Sequence, residues 1–569
     1  MDGPTAGIAS EARVATMRIA VYLAAMAMPV IAAFPLRVGS GESEVARYAE
    51  YGYNAAVLGS LTQLATFEEA APGAVAKGSP LGKQIEEARR RFREQAAKAK
   101  ALGIEAIAST DEIQLPTAVL EQLAGKVTLA GDARRVDFGK EAFWELYRAK
   151  YREVLRAFPE IRYVMVRTGE NYSFLHDGYS GQILSEPGVE RGQSAAFIGN
   201  MQRLIEETRR VVVDEFGRQL IWRTWDLGNN GFHGDVRVYD KVLAGVKERR
   251  GLIFSIKFTQ TDYWRYNDFN AAIGRGGVDQ IVEFQAAREY EGKGAFPNYV
   301  GEEHAAAMRR CRDLKVKGVW IWNFGGGWEG PHLKSDRWVR ANIYATARLA
   351  QNPDADPREL AREWAAKEFG DAAAETVAEM LLLSDDAVLG FRYIAPYSRK
   401  HKGWLPARNI MRDDIIRGER VLGNEGGLRL LYEGSKEALE EALEEKRKAL
   451  DTVRRMRLLL SKARGVTEDA LQTLEYMESI TAVMAHYIRG MFLYYRWQET
   501  GGEEVRVRAL SELREWRKAW HEHRTEIPKL AGAATPYRSQ NNYRGTANTT
   551  DAMEETCERA LLRLEVSRR

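Results

Sequence analysis

Two periodicities divide this chain. From about Gly41 to Arg348, short apolar runs alternate with amphipathic stretches, the pattern of βα units. NAAVLGS from Asn54 and GIEAIAST from Gly103 open the series, and YVMVRT, QLIWRTW, LIFSIKF, QIVEFQ and GVWIWNF continue it. That makes seven visible strands, and VTLAG from Val127 is the best place for an eighth. Between the first two, GKQIEEARRRFREQAAKAKAL sets Ile85, Ala88, Phe92, Ala96 and Ala97 on one helical face. Eight such units predict an α/β fold, a (β/α)8 barrel over residues 41–350. Beyond Pro353 the pattern is helical throughout, which predicts an all-α domain over residues 351–569. There Ser435 reads as an N-cap ahead of Leu439, Leu443, Leu450, Val453 and Met456. Gly465 then stops the helix, and Thr467 caps the next one, through Tyr495. Leu471, Leu474, Met477, Met484 and Ile488 form its core stripe.

Residues 1–40 have two readings. The apolar run from Met17 to Leu36, with Arg13 and Arg18 near its start and Ala33 as a cleavage position, has the three-part form of a secretory signal. The other reading makes RIAVY, from Arg18, the first barrel strand. Pro29 and Pro35 argue against a membrane-spanning helix. A signal implies a secreted or periplasmic protein, and a strand a cytoplasmic one.

Composition narrows the class. Eighty-three Lys and Arg nearly balance eighty Asp and Glu, for a net charge of +3, which predicts neither a nucleic-acid nor a membrane partner. Two cysteines, Cys311 and Cys557, exclude a disulfide framework and a Cys-rich zinc site. Eight histidines show no H-x-x-x-H or H-E-x-x-H spacing, and His521 and His523 read as exposed. The expectation is chemistry without a metal or other cofactor. Thirteen Trp and 24 Tyr suit a cleft that stacks on sugar rings, although most belong to the core.

Barrel enzymes carry their chemistry at the C-terminal ends of strands. LIFSIKF ends in TQTDYW, and QIVEFQ is followed by REYEG, so Asp262 and Glu289 are the first candidates for acid/base work. The plainer alternative pairs each with a nearby arginine such as Arg265 or Arg288, or makes it a helix cap. After IWRTW, His233 and Asp235 in GFHGD stand where cleft-lining residues belong. WLPARN from Trp404 and the polar stretch at 535–552 read either as surface loops or as covers for the barrel mouth.

The segment from Leu252 to Gly292 also resembles the core of the family 67 α-glucuronidases, inverting glycoside hydrolases that remove glucuronic acid from xylan fragments. The shared pattern is I-K-x-x-x-x-D-aromatic, a spacer, then E-F-Q-x-x-x-E-Y-x-G, matched by Lys257, Asp262, Glu283, Gln285 and Glu289. The spacer is slightly shorter here. A second block from Gly318 matches the family's N-x-x-x-x-W-x-G segment and the A-N-x-Y-x-x-x-R-L-A-x-N-P-D run after it. It includes Asn323, Trp328, Gly330, Asn342, Tyr344, Arg348 and Trp364. Arg223 falls on the family's W-R pair. The match covers roughly Tyr51 to Gly370. The family's N-terminal β-rich domain has no counterpart in this chain, and the general-acid segment diverges. Where the family has V-K-A-N-S-E-G-Q-P-G-P, this chain reads YVMVRTGENYSFLHDG, with Glu170 in the acid's place and Arg167 one step closer to it.

The resemblance implies Glu170 as general acid, Asp262 and Glu289 as the base side, and an oligosaccharide substrate bearing a uronic acid. It also implies a homodimer through the helical domain. Arg167, Arg223, Lys257, His233, Glu283, Asn323 and Trp328 are the expected substrate-binding residues. Arg223 and Lys257 are expected to be available to the sugar carboxylate, because no anion in the sequence is obliged to pair with both. Three alternatives stand beside this reading: a retaining glycosidase on another glycan, a lyase, and a sugar-binding barrel without catalysis.

Overall fold

Eight parallel strands close into a barrel in the computed structural model: β1 Leu36–Ser40, β2 Ala55–Ser60, β3 Glu105–Asp111, β4 Ile161–Arg167, β5 Gln219–Arg223, β6 Leu252–Lys257, β7 Asp279–Gln285 and β8 Gly318–Trp322. The structure describes residues 33–40, 45–168, 179–181, 194–225, 231–323, 335–402, 425–533 and 549–566. The seven expected strands are all present. The eighth is not VTLAG, because Thr128–Leu129 pairs antiparallel with Asp132–Val136 in a small separate sheet. It is not RIAVY either, which lies outside the described residues, because Leu36–Ser40 completes the ring. Leu36 pairs with Gly318, where an added Cβ would sit 2.3 Å from the Leu36 carbonyl oxygen, so closure needs glycine there. Phe34, inside the apolar run read as a leader, is fully buried.

Side chains alternate across each strand with a period of two, and the two faces have different jobs. The outward positions, such as Leu220, Trp222, Phe254, Ile256, Val282 and Phe284, pack under the surrounding helices. Inward, one residue from each strand forms a closed apolar ring: Val38, Ala55, Ile107, Met165, Ile221, Ile253, Ile281 and Trp320. Two residues further along the strands the inward positions turn polar, with Ser109, Arg167, Arg223, Ser255 and Glu283. The apolar ring is the floor of the site, and the polar layer faces the C-terminal mouth.

The helix Pro80–Ala101 starts at Ser79, whose hydroxyl accepts from the Gly82 amide at 3.0 Å, with Pro80 in the first turn. Ile85, Phe92 and Ala96 are buried as expected, but Ala97 is exposed and Ala99 takes its place. After the barrel come packed helices. Asp371–Arg392 packs between Pro357–Phe369 and Leu439–Lys462, and Glu468–Thr500 lies along Glu503–Glu526. Ser435 does not cap the helix that begins at Leu439. It ends the helix Glu425–Ser435, its hydroxyl bonded back to the Leu431 carbonyl. Thr467 stands at the N-cap of the helix Glu468–Thr500 without a side-chain capping bond. Leu474, Met477, Met484 and Ile488 are buried core. His521 is exposed, but His523 is buried: it turns under the helix to take the Ser479 hydroxyl at 2.8 Å and stacks on Trp520. Cys311 and Cys557 are buried free thiols. Among the described residues no helix is long and apolar enough to cross a membrane.

Candidate active site

Neighbouring strands place the first pair of charges. Arg223 at the end of β5 reaches across β6 to Glu283 on β7, with Nε donating to Oε1 and Nη2 to Oε2, each at 2.9 Å. Ser255, on the strand between them, donates to the same Oε1 at 2.9 Å. The guanidinium lies over the rings of Trp320 and Trp322, at 4.5 and 4.7 Å from their centroids. Burial works against the charge on Glu283, but Arg223 beside it, helped by Lys257 and Ser255, holds its carboxyl below the usual range. Arg223 is therefore engaged within the protein. This corrects the expectation that it is available to a substrate carboxylate.

Lys257, two residues above Ser255 on the same inward face, meets Asp262 with Nζ 2.5 Å from Oδ1. The other oxygen, Oδ2, accepts from the Tyr290 hydroxyl at 2.5 Å, and the Tyr263 amide donates to Oδ1 at 3.0 Å. Lys257 also lies over the Trp225 ring, 3.2 Å from its centroid. Burial opposes ionisation of Asp262, yet Lys257, Tyr290 and the Tyr263 amide together hold its carboxyl below the ordinary value. It is therefore an ionised carboxylate at neutral pH. Lys257, like Arg223, already has a carboxylate partner.

Glu289 follows β7 in a tight turn. Gln285 Oε1 accepts from the Glu289 amide at 2.6 Å, and Gln285 Nε2 donates to Glu289 Oε2 at 3.2 Å. The next residue, Tyr290, is the one that bonds Asp262, so adjoining positions of one turn link the two candidate carboxylates. Neither pairs with the arginine beside it. Arg265 goes to Asp385, and Arg288 to Glu291. The Tyr263 phenol, its ring 4.6 Å from Lys257 Nζ, is pushed up by burial and then by Glu283, with Arg223, Asp262 and Glu289 also within electrostatic reach. Its hydroxyl has no hydrogen-bond partner among the described residues, and neither do the indole nitrogens of Trp320 and Trp322.

The other expected residues divide. His233 is a brace: Nδ1 lies 2.9 Å from the Thr224 hydroxyl, and Nε2 lies 3.0 and 3.2 Å from the carbonyls of Thr261 and Thr259. Those partners set the proton on Nε2, and burial, with Lys257 nearby, pushes the ring down to about 4, so it is neutral. With both nitrogens engaged it ties the Asp262 loop to the end of β5. Asp235 caps the helix Val236–Gly245. Asn323 ties β8 to β1, donating to the Tyr48 hydroxyl at 2.6 Å and accepting from Ser40 at 3.1 Å. Arg167 forks onto Asp111 at the end of β3, with Nε 2.7 Å from Oδ1. Glu170 and Trp328 lie outside the described residues, as do 404–409 and 535–548. From Thr549 the chain is helical. Asp111 was legible by the same strand-end rule that picked Asp262. Tyr290 and Tyr263 adjoin the two singled-out carboxylates.

The arrangement offers an ionised carboxylate bonded through Tyr290 to the turn that carries a second one, aromatic walls and, among the described residues, donors without partners. Among the described residues no three His, Cys, Asp or Glu side chains are grouped to hold a metal ion.

Comparison with solved structures places this architecture. A family 138 glycoside hydrolase described as targeting pectin rhamnogalacturonan II has a TM-score of 0.59 to this chain at 12% identity, covering 94% of this chain and 84% of its own. The chain shares its fold with a glycoside hydrolase. A family 84 protein, CpGH84B, is similar at a TM-score of 0.42 and 10% identity, over 93% of this chain and 77% of that one, and carries no further weight. No protein-family model matches the sequence, and no curated protein does.

Proposed function

We propose that this chain is a glycoside hydrolase that removes α-linked glucuronic acid, or its 4-O-methyl ether, from oligosaccharides such as xylan fragments. Glycoside cleavage by inversion takes one protonated carboxyl at the leaving oxygen and one ionised carboxylate that activates water on the opposite face. Glu170 is assigned the acid role. Asp262 and Glu289 form the base side. The observation that carries the reading is the Lys257–Asp262–Tyr290 array with Glu289 in the adjoining position, at the mouth of a barrel of glycoside hydrolase fold. A cation such as the Lys257 ammonium offsets the repulsion between two carboxylates near one water, so that both can stay ionised. The Tyr263 hydroxyl and the Trp320 and Trp322 indole N–H groups favour a ligand rich in acceptors, as a sugar is.

One observation favours a second reading. Arg223 and Lys257 are each neutralised by a carboxylate, so the described part of the pocket holds no surplus charge from them for a uronic acid. That fits a glycosidase that removes a neutral sugar from another glycan.

The deciding experiment measures uronic acid release from a panel of aldouronic xylo-oligosaccharides, with pectic fragments and neutral-sugar analogues alongside. A free uronic acid should raise kcat/KM at least about a hundredfold over the neutral analogue, about 2.7 kcal/mol. Asp262→Asn should lower turnover by about a thousandfold, within the range for loss of a general base. Equal rates on glucosides and glucuronides would discard the α-glucuronidase reading, and full activity in Asp262→Asn would discard the assignment of the base.

A further inference from the structure

The loops that carry Asp262 and Glu289 are not held by the barrel alone. Each contains non-glycine residues in left-handed backbone conformations: Tyr266 at φ 65° in the first, Arg288 at 54° and Lys293 at 51° in the second. Such residues keep these conformations only where their surroundings impose them. The surroundings here are a buried polar cluster reaching into the helical domain. Arg265, three residues after Asp262, donates from Nη1 and Nη2 to Asp385 at 2.6 and 2.8 Å and sets Nε 3.0 Å from Glu303. Arg288, just before Glu289, grips Glu291 at 3.0 and 3.1 Å. Asp385 belongs to the helix Asp371–Arg392, and Tyr393 follows its last residue.

Tyr393 joins the two loops through one oxygen. Its hydroxyl accepts from the Arg265 amide at 3.2 Å and donates to Glu291 Oε1 at 2.8 Å. Asn298 also donates to Glu291, to Oε2 at 2.9 Å. Beside Asp385 in the same helix, Ser384 accepts the Tyr299 amide at 2.8 Å, so this helix also fixes the exit of the second loop. All of Arg265, Arg288, Glu291 and Tyr393 are buried or nearly so, and the bonds Arg265–Asp385, Arg265–Tyr393 and Tyr393–Glu291 each connect segments more than a hundred residues apart.

We propose that the helix Asp371–Arg392 with Tyr393 is a built-in clamp of the active site, in which Tyr393 and Asp385 are positioning residues that set Asp262 and Glu289 relative to each other. The helical domain thereby completes the catalytic geometry of the barrel. The consequence for catalysis rests on the assignment of Asp262 and Glu289 as the base side. The mechanical part does not, because it concerns only how the loops are held. The clamp acts at a distance from the chemistry, so its loss displaces the carboxylates without removing a group that touches substrate. A displacement of about 1 Å is worth up to about a hundredfold in rate.

The test uses the full chain with Tyr393→Phe, which deletes both hydroxyl bonds and keeps the ring, and Asp385→Asn as a second variant. Hydrogen exchange is followed by mass spectrometry in peptides covering 259–269 and 286–298, with strands β5 and β6 as internal reference. Both loops should exchange at least about tenfold faster while the strands are unchanged, because the loops open locally and the barrel does not. On whichever oligosaccharide the wild type cleaves, kcat should fall about ten- to a hundredfold with KM within about twofold. Unchanged exchange in the two loops of Tyr393→Phe, or a uniform increase across strands and loops, would overturn the clamp. A faster-exchanging loop with unaltered kcat would overturn its positioning role. A wild type that cleaves no glycan would count against the hydrolase reading, while the exchange measurement would still decide whether the helix holds the loops.

Discussion

The floor and the mouth of the barrel are built from the same strands at the same inward period, yet they solve opposite problems. The floor is a ring of eight apolar side chains, one per strand, whose stability comes from removing hydrocarbon from water. Further along the strands, Arg223, Ser255, Glu283 and Lys257 take the same orientation, and every charge there must be balanced by a neighbour. The floor tolerates small errors of volume. The mouth tolerates no missing partner, because a buried charge without a counter-charge costs far more than a lost methyl group.

Three changes would break or sharpen this contrast. The largest effect belongs to Glu283→Ala, which leaves the Arg223 guanidinium buried over the rings of Trp320 and Trp322 without its two acceptor oxygens. Unfolding in urea should show a loss of about 3–5 kcal/mol. A loss under about 1 kcal/mol would mean that the mouth rearranges as readily as a surface does.

Next is the pH response of His233. Its folded value, pushed down to about 4 mainly by burial, lies below the ordinary 6.5, so the unfolded chain takes up the proton first. The stability it contributes is complete above pH 6.5 and is lost as pH falls through about 4. Across that window the loss attributable to this ring is about 3 kcal/mol, from about 1.36 kcal/mol per unit. Comparing urea unfolding of the wild type and His233→Gln at pH 7 and pH 4 should show a shallower decline in the variant. Parallel curves would assign the acid sensitivity to other buried groups, of which His523, also pushed down by burial to about 3, is the first to examine.

The smallest effect is expected on the floor. Ile221→Val removes one methylene from the apolar ring and should cost about 1 kcal/mol by the same unfolding measurement. Activity should be retained. A large loss of activity here would show that the floor also positions the site.

Much of the fold was legible in the sequence because strands buried on both faces read as short apolar runs between helical stretches. LIFSIKF and QIVEFQ announce themselves in this way, and the strand-end rule then points to Asp262 and Glu289. The first strand escaped because LRVGS is short and ends in small residues. VTLAG looked like a strand and is one, but it is paired outside the barrel. Ala97 and Ala99 differ too little in sequence for a helical wheel to choose between them, and only the tilt of the helix on the barrel decides.

What the sequence by itself determined is the order of seven barrel strands with their helices, the helical region after them, and the carboxylates beyond the strand ends. These follow from local periodicity and chain direction. Tertiary structure alone decided which charges meet. Arg223 and Glu283 are sixty residues apart and are joined across an intervening strand by the curvature of the barrel. Tyr393 reaches two loops from more than a hundred residues away. The interior has few partners for any charge, so geometry makes the choice, and nothing in the local spacing of residues records it.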